Sequence, residues 1–327
     1  MLIRQFRKYS PANILYAILI GLLISVGIFF NSSELLSKTN FSLDEPQALP
    51  VTVQDFISPL NGVFISLILV FMQGFALNRL VVNFNLLKTP NYLTVLLFVS
   101  LACALPDFLV FSPILLCNFI IIWMLSKLFK IGTINEVRGL LFDLGLMVAA
   151  GTLLYYPFII MMPLLWISLN IFRGFSWKEW ASPLFGFGVV YFLLGLMYFW
   201  LDRLPEFYSL LTPEIKKLSI PKNWEIKEFL ILIPILPMLI FFFSALRKYF
   251  FKSIVQLRKS FQLVVYMISL LIISFFIFEA AELHHFLLMA PGLAICFAYY
   301  YTSAQNKWVY EPLFLSLIAC ILYLQYS

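Results

Sequence analysis

The chain has 327 residues, of which 62% are hydrophobic and only 12% charged, with a mean hydropathy of +0.96. A soluble domain carries roughly 25% charged and ~45–50% apolar residues, and a single water-facing fold has too little interior to hide the surplus, so a soluble enzyme or carrier is excluded. The net charge of +6 is spread over loops and forms no interleaved basic and aromatic face, which argues against nucleic acid as a partner.

The remaining solvent is lipid, where only helices and closed barrels satisfy every backbone polar group. The apolar runs are continuous rather than alternating, which predicts helices, and a spanning helix needs ~20 such residues. In chain order the runs are 11–30, 58–82, 92–108, 112–130, 139–156, 157–173, 182–201, 228–246, 261–279, 285–303 and 309–326. They predict an all-α polytopic bundle of about eleven spans, a single integral membrane domain over residues 1–327. The first run follows Arg4, Arg7 and Lys8 as a signal peptide would. It is long, however, and ends Phe29-Phe30-Asn31-Ser32 without a small-x-small cleavage pattern, so it reads as a retained helix. Runs 92–108 and 112–130 form one tight hairpin, turning at Pro106-Asp107; 139–156 and 157–173 form another, turning at Tyr155-Tyr156-Pro157. Ser10-Pro11, Ser58-Pro59, Ser112-Pro113 and Ser182-Pro183 each open a run, where serine suits the cap and proline the first helical position.

The loops set the orientation. With a cytoplasmic N-terminus, all 22 Lys and Arg residues except Lys38, Arg203, Lys216, Lys217, Lys222 and Lys227 fall on the cytoplasmic side. Of the 16 acidic residues only Glu136, Asp143, Glu179 and Glu311 fall there. The positive-inside rule then predicts a multi-pass protein of a bacterial inner (cytoplasmic) membrane with its C-terminus outside. Two outer loops are large, 31–57 and 202–227, and Pro205–Leu211 in the second has the character of a short interfacial helix. The cytoplasmic loop 247–260 carries Arg247, Lys248, Lys252, Arg258 and Lys259 and no acid. That composition suits contact with anionic membrane lipid, and positive-inside bias produces it equally well.

Strong catalytic signatures are missing. The chain contains no GxGxxG, P-loop, HExxH or GxSxG, so neither ATP hydrolysis nor a cofactor is expected. Cys103, Cys117, Cys296 and Cys320 lie in apolar runs without a CxxC pair, and read as small buried residues rather than disulfides or zinc ligands. Asp143 lies at membrane depth, where an ionisable residue needs a partner or a function; Arg138 or Arg79 is the expected ion-pair partner. Gln73, Asn78, Asn118 and Asn170 are expected to hydrogen-bond between helices.

The outer side gathers a more suggestive set. Asp44 and Glu45 lie in the first outer loop, Asp107 at one outer turn, and Tyr155 and Tyr156 at the next. Glu279, Glu282, His284 and His285 lie at the outer ends of the ninth and tenth runs. Carboxylates and an imidazole on one membrane face have the chemistry of a general base and a phosphate or metal contact; an acidic outer face also follows from excluding Lys and Arg from it. Glu282-Leu283-His284-His285 has a Glu-x-x-His spacing, but carboxylate di-metal bundles need two such pairs and two further glutamates, so no metal is expected.

From Ile3-Arg4-Gln5-Phe6 through Ser112-Pro113-Ile114-Leu115-Leu116-Cys117-Asn118-Phe119, the chain resembles an uncharacterised family of bacterial multi-pass inner-membrane proteins. More distantly, its layout resembles the C-type glycosyltransferases, which move a sugar from a polyprenyl-phosphate carrier on the outer face. Asp44-Glu45 resembles that family's acidic pair in the first outer loop, and His285-Phe286-Leu287-Leu288-Met289-Ala290-Pro291 resembles its late basic-aromatic-proline helix start, with histidine in place of arginine. The resemblance implies Asp44 as the base that deprotonates an acceptor hydroxyl, Glu45 as its neighbour or a metal contact, and His285 facing the carrier phosphate. Two other classes remain open. A non-enzymatic scaffold or assembly subunit with an envelope protein partner is consistent with the sparse intramembrane charge. A transporter would show repeats and broken helices; Ile233-Pro234-Ile235-Leu236-Pro237 is the one doubled break, with no matching half.

Overall fold

A computed structural model describes residues 2–7, 10, 12–38, 59–87, 89–211, 230–249, 255–278, 283–304 and 306–326. The regular elements in these residues are helical. In chain order they are α1 (Leu2–Phe6), α2 (Ala12–Lys38), α3 (Pro59–Asn83), α4 (Leu93–Ala102), α5 (Pro113–Leu128), α6 (Arg138–Leu154) and α7 (Met161–Phe172). There follow α8 (Trp177–Trp200), α9 (Leu204–Leu211), α10 (Leu232–Tyr249), α11 (Val255–Ile277), α12 (Ala290–Ser303) and α13 (Lys307–Tyr326). Short 3-10 turns at Pro106–Leu109, Tyr156–Ile160 and Leu283–Met289 precede α5, α7 and α12.

Among the described residues, five helical stretches are long and apolar enough to cross a membrane: Asn61–Asn83, Trp177–Trp200, Val255–Ile277, Leu283–Ser303 and Lys307–Gln325. Leu93–Ala102, Pro113–Leu128 and Tyr156–Phe172 are shorter apolar helices. The protein is therefore a helical membrane bundle. The short helices owe their length to prolines: Pro106 and Pro157 sit in the 3-10 turns, where the missing N–H and fixed φ end one helix and start the next.

The centre is α4 packed on α12, with α2 and α3 also against α4. Each residue of α4 from Leu93 to Ala102 is buried, as a helix apolar on every side must be when protein surrounds it. At 1.5 Å per residue α4 spans only about 15 Å, roughly half of a bilayer core. Polar side chains of neighbouring helices donate to carbonyls near this centre. Gln325 Nε2 reaches Cys103 O at 2.9 Å and Gln73 Nε2 reaches Leu115 O at 2.7 Å. Arg7 donates to Tyr301 O and, at 2.6 Å, to Ala304 O, with its guanidinium 4.5 Å from the Tyr310 ring centre. That cation meets the negative C-terminal end of α12, a favourable pairing with the helix dipole.

The contact between α6 and α8 is made by glycines. A Cβ on Gly145 would lie 2.1 Å from Pro183 O, and a Cβ on Gly186 would lie 2.2 Å from Phe142 O. Each helix thus rests its glycine on the other's backbone, the small-residue packing that lets membrane helices approach closely. Only 11% of the apolar stretch of α8 is buried, against 89% for Leu283–Ser303.

Three local expectations change. Ser182-Pro183 does not open a helix: α8 begins at Trp177 after Ser176, and Pro183 lies inside it. Ser182 Oγ instead donates to Arg138 O at 2.7 Å. Asp143 pairs with Lys127 at 2.6 Å, not with Arg138 or Arg79, because α5 and α6 lie side by side. Asn170 is exposed rather than buried between helices.

Because backbone stands where each side chain would go, Gly186→Leu is expected to lower stability by about 1–3 kcal/mol through overpacking. Thermal unfolding in detergent measures this; Gly139→Leu, where nothing lies within 4 Å, is the control expected to change little.

Candidate functional site

The three 3-10 turns meet at one end of the bundle. Pro106–Leu109 packs against Leu283–Met289, and Tyr156–Ile160 packs against α11. The sequence-predicted residues Asp107, Tyr155, Tyr156, His284 and His285 lie on or beside these turns. Asp44, Glu45, Glu279 and Glu282 lie outside the described residues.

His285 is the hub of this end. Its side chain is fully enclosed, with Nε2 2.9 Å from Leu271 O of α11 and Nδ1 3.0 Å from the Tyr155 hydroxyl. A carbonyl can only accept, so Nε2 carries the proton; an unpaired charge is costly in so enclosed a site, which leaves Nδ1 to accept from the Tyr155 hydroxyl. The ring is therefore a neutral imidazole with both nitrogens engaged. Phe275 and Phe286 pack around it, with ring centres 6.4 Å away in each case. His285 thus joins the end of α6, α11 and the turn before α12. It points into the bundle, whereas the resemblance implied a group facing lipid phosphate.

The neighbouring residues fix the same junction. Asn118 Nδ2 donates to Leu287 O at 3.2 Å and Ser274 Oγ to Pro157 O at 3.3 Å. Tyr156 meets the Phe278 ring edge-on, 5.6 Å between centres. Gly151 permits the turn: a Cβ there would lie 2.3 Å from the Phe158 ring. Tyr155 itself is in extended conformation at the end of α6, which carries its hydroxyl across to His285. His284 is also buried. Asp107 is half-buried in its turn and, among the described residues, its carboxylate forms no ion pair.

This arrangement fixes the tautomer of an imidazole and binds helices together. Among the described residues no three His, Cys, Asp or Glu side chains come together as a metal site. The four cysteines are free thiols, Cys103, Cys117 and Cys296 buried and Cys320 half-buried. Residues the sequence did not single out also matter: Leu271 contributes only its carbonyl, which no pattern marks, and Gly151 acts through the space it leaves. Comparison with family models, curated proteins and solved structures finds no match for this chain.

If the His285 pair is a clasp, Tyr155→Phe leaves Nδ1 without its donor inside the bundle, costing about 1–3 kcal/mol. In a double-mutant cycle with His285→Phe the two losses are expected to be non-additive by about 1 kcal/mol. Unfolding midpoints of the four proteins in one detergent give the coupling.

Proposed function

We propose that the protein is a non-enzymatic assembly subunit of a bacterial envelope complex. In this reading it has about eleven inner-membrane spans, with the N-terminus cytoplasmic and the C-terminus outside. The carrying observation is α8. This long apolar helix is held to the bundle on one side by the glycine contact with α6. Its other surface presents Phe185, Phe192, Leu193, Met197, Phe199 and Trp200, all strongly exposed. Three residues after Phe185 and four before Phe192 on this outward side lies Gly188, with nothing within 4 Å of where its Cβ would be. A glycine inside a helix costs about 1 kcal/mol relative to alanine. Among the described residues nothing uses the space it leaves, and a close-packed helix of another protein would.

The polar groups at the three-turn end fit the same reading. His285 and Asn118 spend hydrogen bonds on holding helices together.

The test is a photo-crosslinking side chain at Phe192 in native membranes, with and without Gly188→Leu. The assembly reading expects one reproducible protein adduct that Gly188→Leu removes. Adducts to lipid alone would sink it.

A second reading has one observation in its favour, the gathering of Asp107, Tyr155, Tyr156, His284 and His285 at one end. In it the protein is a C-type-like transferase that takes a sugar from a polyprenyl-phosphate carrier, with Asp44 as base and Glu45 beside it. The enclosed His285 would then act as a positioning residue. Native mass spectrometry separates the two readings. Retention of a polyprenyl phosphate, lost in Asp44→Asn, supports the transferase; unchanged function of Asp44→Asn with Glu45→Gln removes it.

A further inference from the structure

Helices α10 and α11 both pack on α12. They meet at Phe242 and Phe261, whose ring centres are 5.8 Å apart and which both pack on Tyr299. Beside this aromatic contact the two helices leave a cleft of about 600 Å³. Its walls are Phe243 and Leu246 of α10 and a stripe of α11 that includes Arg258, Lys259, Gln262, Val265 and Tyr266. The α11 residues recur every three or four positions, so they form one face of that helix.

The polarity of the cleft changes along its length. Arg258 and Lys259 lie near the start of α11, and Arg247 and Lys248 lie in the last turn of α10. Only five residues connect the end of α10 to the start of α11, so both basic groups stand at the same end of the cleft. Seven residues further along α11, about 10 Å deeper, the wall is Val265 and Tyr266, with only the uncharged Gln262 between. Among the described residues no acidic side chain lines the cleft. Lys259 is held at the mouth with its ammonium 5.8 Å from the Phe172 ring centre of α7.

A soluble anion would use the mouth and leave the apolar depth empty. A zwitterionic lipid would bring its own ammonium to a mouth already cationic. An amphiphile with a net negative phosphate head and an acyl chain matches both halves. We propose that the α10–α11 cleft is a binding site for one anionic glycerophospholipid. Its phosphate lies between Arg258 and Lys259, and one acyl chain runs down the wall formed by Phe243, Leu246, Val265 and Tyr266. This site is separate from the α8 surface and the three-turn end, and stands whichever function the protein has.

The test is native mass spectrometry of the full-length protein from detergent supplied with dioleoyl phosphatidylglycerol or dioleoyl phosphatidylcholine. The expected result is one tightly retained phosphatidylglycerol and no comparable retention of phosphatidylcholine. Arg258→Gln combined with Lys259→Gln should weaken retention about 30-fold, on the basis of ~1 kcal/mol per basic residue. Leu246→Trp, which fills the cleft, should weaken it without removing a charge, and excess glycerol 3-phosphate should not displace the lipid. Equal retention of the two lipids, unchanged retention in the double variant, or displacement by glycerol 3-phosphate would each overturn the site. A second measurement needs no variant: phosphatidylglycerol with a photoactivatable acyl chain should label Phe243–Leu246 and Gln262–Tyr266 of the unaltered protein. Label spread evenly over α8 and α13 would overturn the proposal as well.

Discussion

The contact between α4 and α12 governs the rest of the molecule. Hydrocarbon does not drive apolar helices together, because lipid tails are as apolar as the side chains; close packing and hydrogen bonds must do so. Helix α4 is too short to cross a bilayer alone and has no face left for lipid. It is stable only where other helices surround it. The surrounding helices then supply donors to backbone carbonyls at breaks in the helical ladder: Gln325 at the end of α4, Asn118 at the turn before α12, and Arg7 at the end of α12. In lipid an unmet carbonyl finds no water, so long side-chain donors take the place that solvent holds in a soluble fold.

Two modes of association coexist in the bundle. Around α4 and α12, bulky apolar side chains and buried amides interlock. Between α6 and α8, glycines bring backbones into contact, with little side-chain burial on α8 beyond that line. The first mode makes a rigid interior. The second leaves a long helix attached along one narrow strip, with most of its surface turned outward. This contrast, more than any single polar group, leads to the assembly reading.

Much of the element order was legible because continuous apolar runs interrupted by Pro106 and Pro157 leave few alternatives in lipid. Orientation of each helix about its own axis was not. In a water-soluble helix the polar face marks the outside, but here α4, α8 and α12 are apolar all round, so composition cannot separate the enclosed α4 from the outward-facing α8. The start of α8 was misplaced because Trp177-Lys178-Glu179-Trp180 is too polar to count as part of an apolar run, although Glu179 is accommodated by an ion pair with Arg173 at 3.2 Å. The partner of Asp143 was misjudged because nearness in sequence favoured Arg138, while the neighbour in space is Lys127 on α5. His285 was placed at the correct run, but whether its ring faced lipid or the interior depends on Tyr155 and the Leu271 carbonyl, which only the fold brings together.

The pairing of α4 with α12 also sets the order of biogenesis. Nearly two hundred residues separate the two partners along the chain, and contacts so distant form late. As the ribosome delivers the chain, α4 reaches the membrane long before the helix that will cover it. During that interval a half-length, mostly apolar segment has α2 and α3 to pack against but not its principal partner. The guanidinium of Arg7 waits longer still, since its carbonyls lie beyond residue 300. Assembly is therefore completed by the last two helices, α12 covering α4 and α13 bringing Gln325 to its end, and truncation before them leaves α4 only partly covered.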